Sequence, residues 1–195
     1  MPHSVCPWWV GYLLISPLRR VMYSPARILA PFVRDGMTVL EPGPGMGFFT
    51  LELARSVGPS GRVVAVDIQP KMLNGLSRRV ARAGLLERVD IRLGLPDSMC
   101  LERMAGTIDF VLAVAMVHEM PSAGAFFREA AQAMKPGALL LLAEPGGHVE
   151  QAAFDAELAA AGQAGLQLTD RPVIRRSRAA VLMKPHSLDT NTLRA

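Results

Sequence analysis

A short apolar run, residues 37–40, leads into Glu41-Pro42-Gly43-Pro44-Gly45-Met46-Gly47, and a helix-like stretch follows over residues 48–57. Strand, glycine turn and helix in that order confine the chain to α/β folds in which the backbone passes close to a ligand at a strand's end. A second apolar run, residues 63–66, ends in Asp67, where the next strand of a parallel sheet would present a carboxylate to a ribose diol. The two elements together predict an adenosine-containing ligand.

The glycine spacing narrows the choice. A dinucleotide fingerprint reads G-x-G-x-x-G, with its third glycine letting the helix pack on the strand while the helix N-terminus faces a pyrophosphate. Here the order is Gly43-x-Gly45-x-Gly47, and bulky Phe48 stands where the late glycine would be. That argues against a nicotinamide-dependent oxidoreductase, while Glu41, two positions ahead of Gly43, suits a ligand with an ammonium group. The segment from Glu41 to Gly47 resembles the first motif of the class I S-adenosylmethionine-dependent methyltransferases, whose cofactor joins adenosine to a methionine tail and carries no phosphate.

Alternating sheet and helix continue along the chain. Ser24-Pro25 reads as an N-cap with proline in the first turn of a short helix over residues 26–33. Strands are expected at residues 37–41, 62–67, 89–93, 108–115 and 138–144. Helices follow the glycine turn, Pro70 and Ser122, and the last of these is expected to stop at Lys135-Pro136-Gly137. The helix after Gly147 has Phe154, Leu158, Ala161 and Gly165 on its packing side. Two extended stretches, residues 166–174 and 179–183, then close the sheet as an antiparallel pair. That ending is similar to a methyltransferase sheet and departs from a plain Rossmann domain. The resemblance thus covers most of the chain and implies a three-layer, Rossmann-like α/β methyltransferase fold. Its seven-stranded sheet would be mostly parallel, with an antiparallel last strand. Residues 1–34 are a helical lead-in or lid, 35–185 the catalytic domain and 186–195 a polar tail. A chain of 195 residues fits this single domain.

Composition supports a buried parallel sheet, since 50% of the residues are hydrophobic and 19% charged. The net charge of +4 could suit a nucleic acid, but the arginines are scattered and no base-gripping Asn/Asp-Pro-Pro-aromatic signature follows the fourth strand. Cys6 and Cys100 make neither a disulfide framework nor a metal set, which points to a reducing cytoplasm. They also fall short of the three thiols of an arsenite enzyme. The apolar segment 5–15, with Trp8, Trp9 and Tyr12, falls short of the roughly 20 residues that span a bilayer.

The resemblance implies roles for individual residues. Glu41 meets the methionine ammonium, and the backbone at Gly43, Gly45 and Gly47 borders the methionine part. Asp67 accepts from both ribose hydroxyls, a geometry that a carboxylate provides. Ile68 lies on the adenine face, with core packing as its alternative reading. Leu95 occupies the position where the family often places an acid for the adenine amino group. Either Asp97 substitutes for that acid, or backbone and apolar contacts hold the ring. Ala115 and Met116 line the methyl-transfer channel. His118 is the candidate general base, with Glu119 orienting it or pairing with a substrate cation. Glu144, beside Gly146-Gly147 and His148, reads as a cap on the next helix. Trp8, Trp9 and Tyr12 offer aromatic faces to a substrate, with outer-face packing or a dimer contact as alternatives. No metal is expected, since His118, Glu119, Glu144 and His148 lack ligand spacing.

The activity implied is methyl transfer from S-adenosylmethionine to a small-molecule acceptor, leaving S-adenosylhomocysteine, in a branch with quinone-biosynthesis enzymes. The alternatives are an RNA methyltransferase and a non-catalytic cofactor-binding protein. The expected partner is a small acceptor, apolar among the options, with no nucleic acid and no membrane span. A homodimer is allowed.

Overall fold

The computed structural model describes residues 23–186. Its order begins with α1 (Pro25–Leu29), β1 (Thr38–Pro42), α2 (Thr50–Ser56), β2 (Arg62–Asp67), α3 (Pro70–Arg82) and β3 (Val89–Leu93). It continues with β4 (Ile108–Val114), α4 (Ala123–Ala133), β5 (Met134–Pro145), α5 (Gln151–Gln163), β6 (Gln167–Asp170) and β7 (Ser177–Met183).

One seven-stranded sheet runs in the order β3-β2-β1-β4-β5-β7-β6. Neighbours from β3 to β5 pair in parallel, and β7 is antiparallel to both β5 and β6. The expected Rossmann-like α/β sheet with an antiparallel last strand is therefore present. Strand order reverses between β1 and β4, and open α/β sheets bind ligands at the carboxyl ends of the strands flanking such a switch.

Side chains alternate between two cores, as the two-residue period of a doubly covered sheet requires. Leu40, Val64, Val111 and Leu140 face Phe126, Phe127 and Phe154 of α4 and α5. Val39, Val63, Phe110 and Leu141 face Leu29, Leu53, Leu76 and Val80 of α1 to α3. Strands apolar only at every second residue would leave one face of the sheet polar, so the continuous runs in the sequence are what a two-faced sheet needs.

Several element boundaries differ from the expectation. Lys135-Pro136-Gly137 does not separate α4 from β5 but lies inside β5, which starts at Met134. The ladder tolerates it because the register shifts between Ile108 and Phe110 and because the Gly137 N–H donates to the Lys184 carbonyl at 2.7 Å. Ser24 occupies the N-cap position of α1, yet its hydroxyl makes no cap bond. Ser122 does cap α4, accepting from the Ala125 N–H at 3.1 Å. On α3, Ala83 is exposed, and the core contact passes to Leu85 beyond Gly84, whose φ of +68° ends the helix. Among the described residues no helix is long and apolar enough to cross a membrane.

Candidate cofactor cleft and acid–imidazole cluster

The turn after β1 is held by the end of β2. The Gly43 N–H donates to the Val66 carbonyl at 2.8 Å, and the Gly45 N–H donates to Asp67 Oδ2 at 3.2 Å. All three glycines have positive φ, and at two of them a Cβ would also meet a neighbouring side chain. A Cβ at Gly43, where φ is +64°, would lie 3.0 Å from Met116 Cβ, and one at Gly47, where φ is +83°, would lie 2.5 Å from Leu76 Cδ1. The turn continues through Phe49, so α2 begins at Thr50 and not at Phe48.

Glu41 is buried at the end of β1, lining a cavity with Gly43, Gly45, Phe48, Val114 and Ala115. Its Oε2 is buried without a hydrogen-bond partner. Burial pushes this carboxyl up to about 7. The Thr50 hydroxyl nearby lowers it without closing a bond of ordinary geometry, and the Asp67 charge adds to the rise. A carboxylate left this way in a cavity is matched to an incoming cation.

Asp67, at the end of β2, is buried and accepts from the Gln69 N–H through Oδ1 at 2.9 Å as well as from Gly45. Its carboxyl is raised, first by burial, then pulled back by the backbone donors of Gln69, Gly45 and Ile68, with the charge of Glu119 adding to the rise. Each oxygen has a lone pair to spare for a hydroxyl. On the same edge Ile68 and Leu95 are exposed at 36% and 55% and so are open to a flat ligand, although single apolar residues such as Leu86 and Leu168 are equally exposed elsewhere. Asp97 is exposed in the following loop.

That loop is tied down by Glu129 of α4, which accepts from the Met99 and Leu101 N–H groups at 2.8 and 2.9 Å and from the Ser98 hydroxyl at 3.2 Å. No local pattern marks this clamp, because a glutamate on a helix normally faces solvent.

β4 ends at Val114, and Ala115 just beyond it lies in the left-handed region, φ +54°, its N–H donating to the Ala143 carbonyl at 2.8 Å. A non-glycine residue there is strained, and such strain is concentrated at functional turns. The turn carries Met116, Val117, His118 and Glu119 across the mouth of the cleft.

Glu144 overturns its expected role as a helix cap. It has no exposed surface, and its Oε1 accepts from the N–H groups of Met116 and Val117 at 3.3 and 2.9 Å. Its Oε2 meets His118 Nδ1 at 2.5 Å. Glu119 Oε1 is 3.9 Å from Nε2, so Glu144, and not Glu119, orients the ring. The bond to Glu144 raises the His118 pKa above its ordinary 6.5. Burial opposes the rise, while the charges of Glu144, Glu119 and Glu157 add to it. Glu157 was not foreseen. It lies on the buried face of α5 between Phe154 and Ala161, a three-then-four spacing that marks it in retrospect. Arg178 secures the nearby turn through the Gly146 and Val149 carbonyls at 2.7 and 2.5 Å. The His148 ring packs edge-on to His118 at 5.1 Å. Among the described residues no set of three or more His, Cys, Asp or Glu could hold a metal ion. Trp8, Trp9 and Tyr12 lie outside the described residues.

The fold and cleft define a doubly wound domain built to grip a nucleoside bearing an amino-acid tail. Residues 39–137 match the methyltransferase domain family, and the chain belongs to it. A solved S-adenosylmethionine-dependent methyltransferase from Aquifex aeolicus has the same fold, with a TM-score of 0.82 at 24% identity over 92% of this chain and 100% of that one. The arsenite methyltransferase of Aquipseudomonas alcaligenes is 30% identical over 72% of this chain and 42% of that protein. The ribosomal protein L11 methyltransferase of Pelotomaculum thermopropionicum is 36% identical over 59% and 34%. The chain thus spans less than half the length of these two curated relatives. Membership implies S-adenosylmethionine as cofactor, and the unpaired Glu41 oxygen, the Asp67 carboxylate and the exposed Ile68 and Leu95 fit its ammonium, ribose and adenine in turn.

Proposed function

We propose that this chain moves a methyl group from S-adenosylmethionine to a small-molecule acceptor by in-line displacement, in the branch of the family that includes quinone-biosynthesis enzymes. The observation that carries the reading is the pair of buried carboxylates, Glu41 and Asp67, on either side of one glycine turn. The cofactor supplies a methyl group already activated on a sulfonium, so the protein's work is alignment and exclusion of water.

Glu41 holds the ammonium, and the backbone from Gly43 to Gly47 borders the methionine part. Asp67 fixes the ribose, while Ile68, Leu95 and Asp97 line the adenine side. Ala115 and Met116 wall the channel, while the acceptor role proposed for Trp8, Trp9 and Tyr12 falls on residues outside those described. His118, held through Nδ1 by Glu144, takes the acceptor's proton at Nε2, with Glu119 beside it. A small acceptor fits this arrangement because the base lies in a half-buried pocket. Cys100 sits on the Glu129-clamped loop, which does not favour an arsenite acceptor despite the relative above. The compartment proposed is the cytoplasm.

Ligand specificity tests the reading. S-adenosylhomocysteine at a hundred times its dissociation constant should add about 2.7 kcal/mol to stability. In a chain of this size that is a rise of roughly 5–10 °C in Tm. NAD should give none. A rise with NAD alone overturns the class, and tight cofactor binding with no turnover of any phenol, quinol or amine favours a non-catalytic binder.

A further inference from the structure

Beside the cofactor cleft the protein buries a second set of ionisable groups that no nucleoside would touch. Glu144 uses both oxygens, on the Met116 and Val117 N–H groups and on His118 Nδ1. Glu157 is 7% exposed, and its Oε2 is buried with no hydrogen-bond partner. His148 packs on the His118 ring, and Glu119 stands on its Nε2 side. Among the described residues neither Glu144 nor Glu157 forms an ion pair with a lysine or arginine.

These charges cannot be set independently. Glu157 lies on the buried face of α5 between Phe154 and Ala161, which share one core with Met116 and Val117 of the His118 turn. Two buried carboxylates around one imidazole leave a surplus negative charge, which a low-dielectric interior resists. Glu144 has three donors to stabilise its charge, whereas the buried oxygen of Glu157 has none, so the proton resides on Glu157. Burial and then the Glu144 charge push the Glu157 carboxyl up to about 7, and a charged His118 pulls it down. Reciprocally, the Glu157 charge favours protonated His118.

We propose that Glu157 is a positioning residue that exchanges its proton against His118, so that the buried cluster keeps one net negative charge while the acceptor is deprotonated. The acceptor's X–H bond breaks and an N–H bond forms at Nε2, adding one positive charge. The Glu157 O–H bond breaks and its proton passes to water, adding one negative charge. After the methylated product leaves, His118 returns its proton to solvent and Glu157 takes one up. Glu157 never touches the acceptor. The acceptor class that follows is neutral and protic, a hydroxyl, enol or thiol, because a carboxylate would need no base and would meet Glu119 and Glu144.

The methyl-transfer reading supplies the source of the proton, but the exchange itself is measurable without donor or acceptor. In full-length protein labelled at the histidine rings and glutamate carboxyls, NMR titration should show the Glu157 carboxyl changing near neutral pH. The His118 ring, assigned by its loss in His118→Asn, should respond over the same range. In Glu157→Gln the His118 midpoint should fall below its wild-type value, while the ring proton bonded to Glu144 stays shifted downfield. A wild-type Glu157 carboxyl that does not titrate over the neutral range overturns the proposal, as does a Glu157→Gln midpoint equal to wild type. The wild-type titration alone decides the matter if the variant fails to fold. Intact S-adenosylhomocysteine binding with a failed titration would sink this exchange and leave the methyltransferase reading standing, and the reverse result would do the opposite.

Discussion

Asp67→Ala will erase the stabilisation that S-adenosylhomocysteine gives the wild-type protein. The carboxylate stands at the C-terminal end of β2 and faces the turn whose Gly45 N–H it accepts at 3.2 Å. Two hydrogen bonds from ribose hydroxyls to a charged acceptor contribute about 1.5–3 kcal/mol each. Their loss weakens binding by roughly a hundredfold or more, which leaves about 0.4 kcal/mol or less of the ligand's effect at a hundred times the wild-type dissociation constant. Thermal melts across a ligand series, with calorimetry for the dissociation constant, measure this. A variant that melts cooperatively and keeps the full ligand shift would show that the ribose is held elsewhere. Because Asp67 also accepts the Gln69 N–H at 2.9 Å, Asp67→Asn is the needed companion. It preserves volume and one acceptor, and should bind more weakly than wild type but better than Ala.

The largest loss of stability is expected from Glu144→Ala. The change leaves the Met116 and Val117 N–H groups and the His118 Nδ1 proton without their acceptor in a site that has no exposed surface on Glu144. Removing one partner of a buried charged pair costs about 3–5 kcal/mol, or roughly 10 °C of Tm or more in a domain of this size. The cost depends on pH in a definite direction. His118 has its folded pKa raised above 6.5 chiefly by its bond to Glu144, so the stabilisation from this pair is fully present below 6.5. It is lost as pH climbs through the folded value. Denaturant melts should therefore show a wide gap between wild type and variant in mild acid and a narrower one in alkali. A gap that widens with pH would mean that the imidazole is not charged in the native protein.

The parts of the molecule legible in the sequence are those where local pattern and tertiary need coincide. The runs at residues 37–40 and 63–66 are apolar on both faces because helices cover both sides of the sheet, so continuity of hydrophobicity identified central strands. Gly43 and Gly47 announced their turn because the backbone there has φ +64° and +83° with a neighbouring side chain in the way of any Cβ. Asp67 was legible from its place at a strand end.

Other features depend on partners distant in the chain. Glu144 has a helix-capping residue's sequence context, and only the parallel pairing of β4 with β5 brings it to His118, 26 residues away in sequence. Glu129 meets a loop 28 to 31 residues earlier for the same reason. Lys135-Pro136-Gly137 has the composition of a helix stop. It lies in a strand because Gly137 finds an acceptor on Lys184, beyond the end of β7.

If Glu41 holds the donor's ammonium as proposed, its unpaired oxygen makes acid a rival of the methyl donor. This carboxyl, ordinarily half-ionised at 4.5, keeps its proton up to about 7 in the folded protein. The sign follows directly: the folded form binds the proton more tightly than the unfolded chain, so stability falls as pH rises from 4.5 towards 7, by about 3 kcal/mol in full. An arriving ammonium reverses the preference, and near neutrality each loading event expels up to one hydrogen ion into the medium. A drop in pH would therefore act on this protein as a fall in donor supply would, with both felt at one side chain.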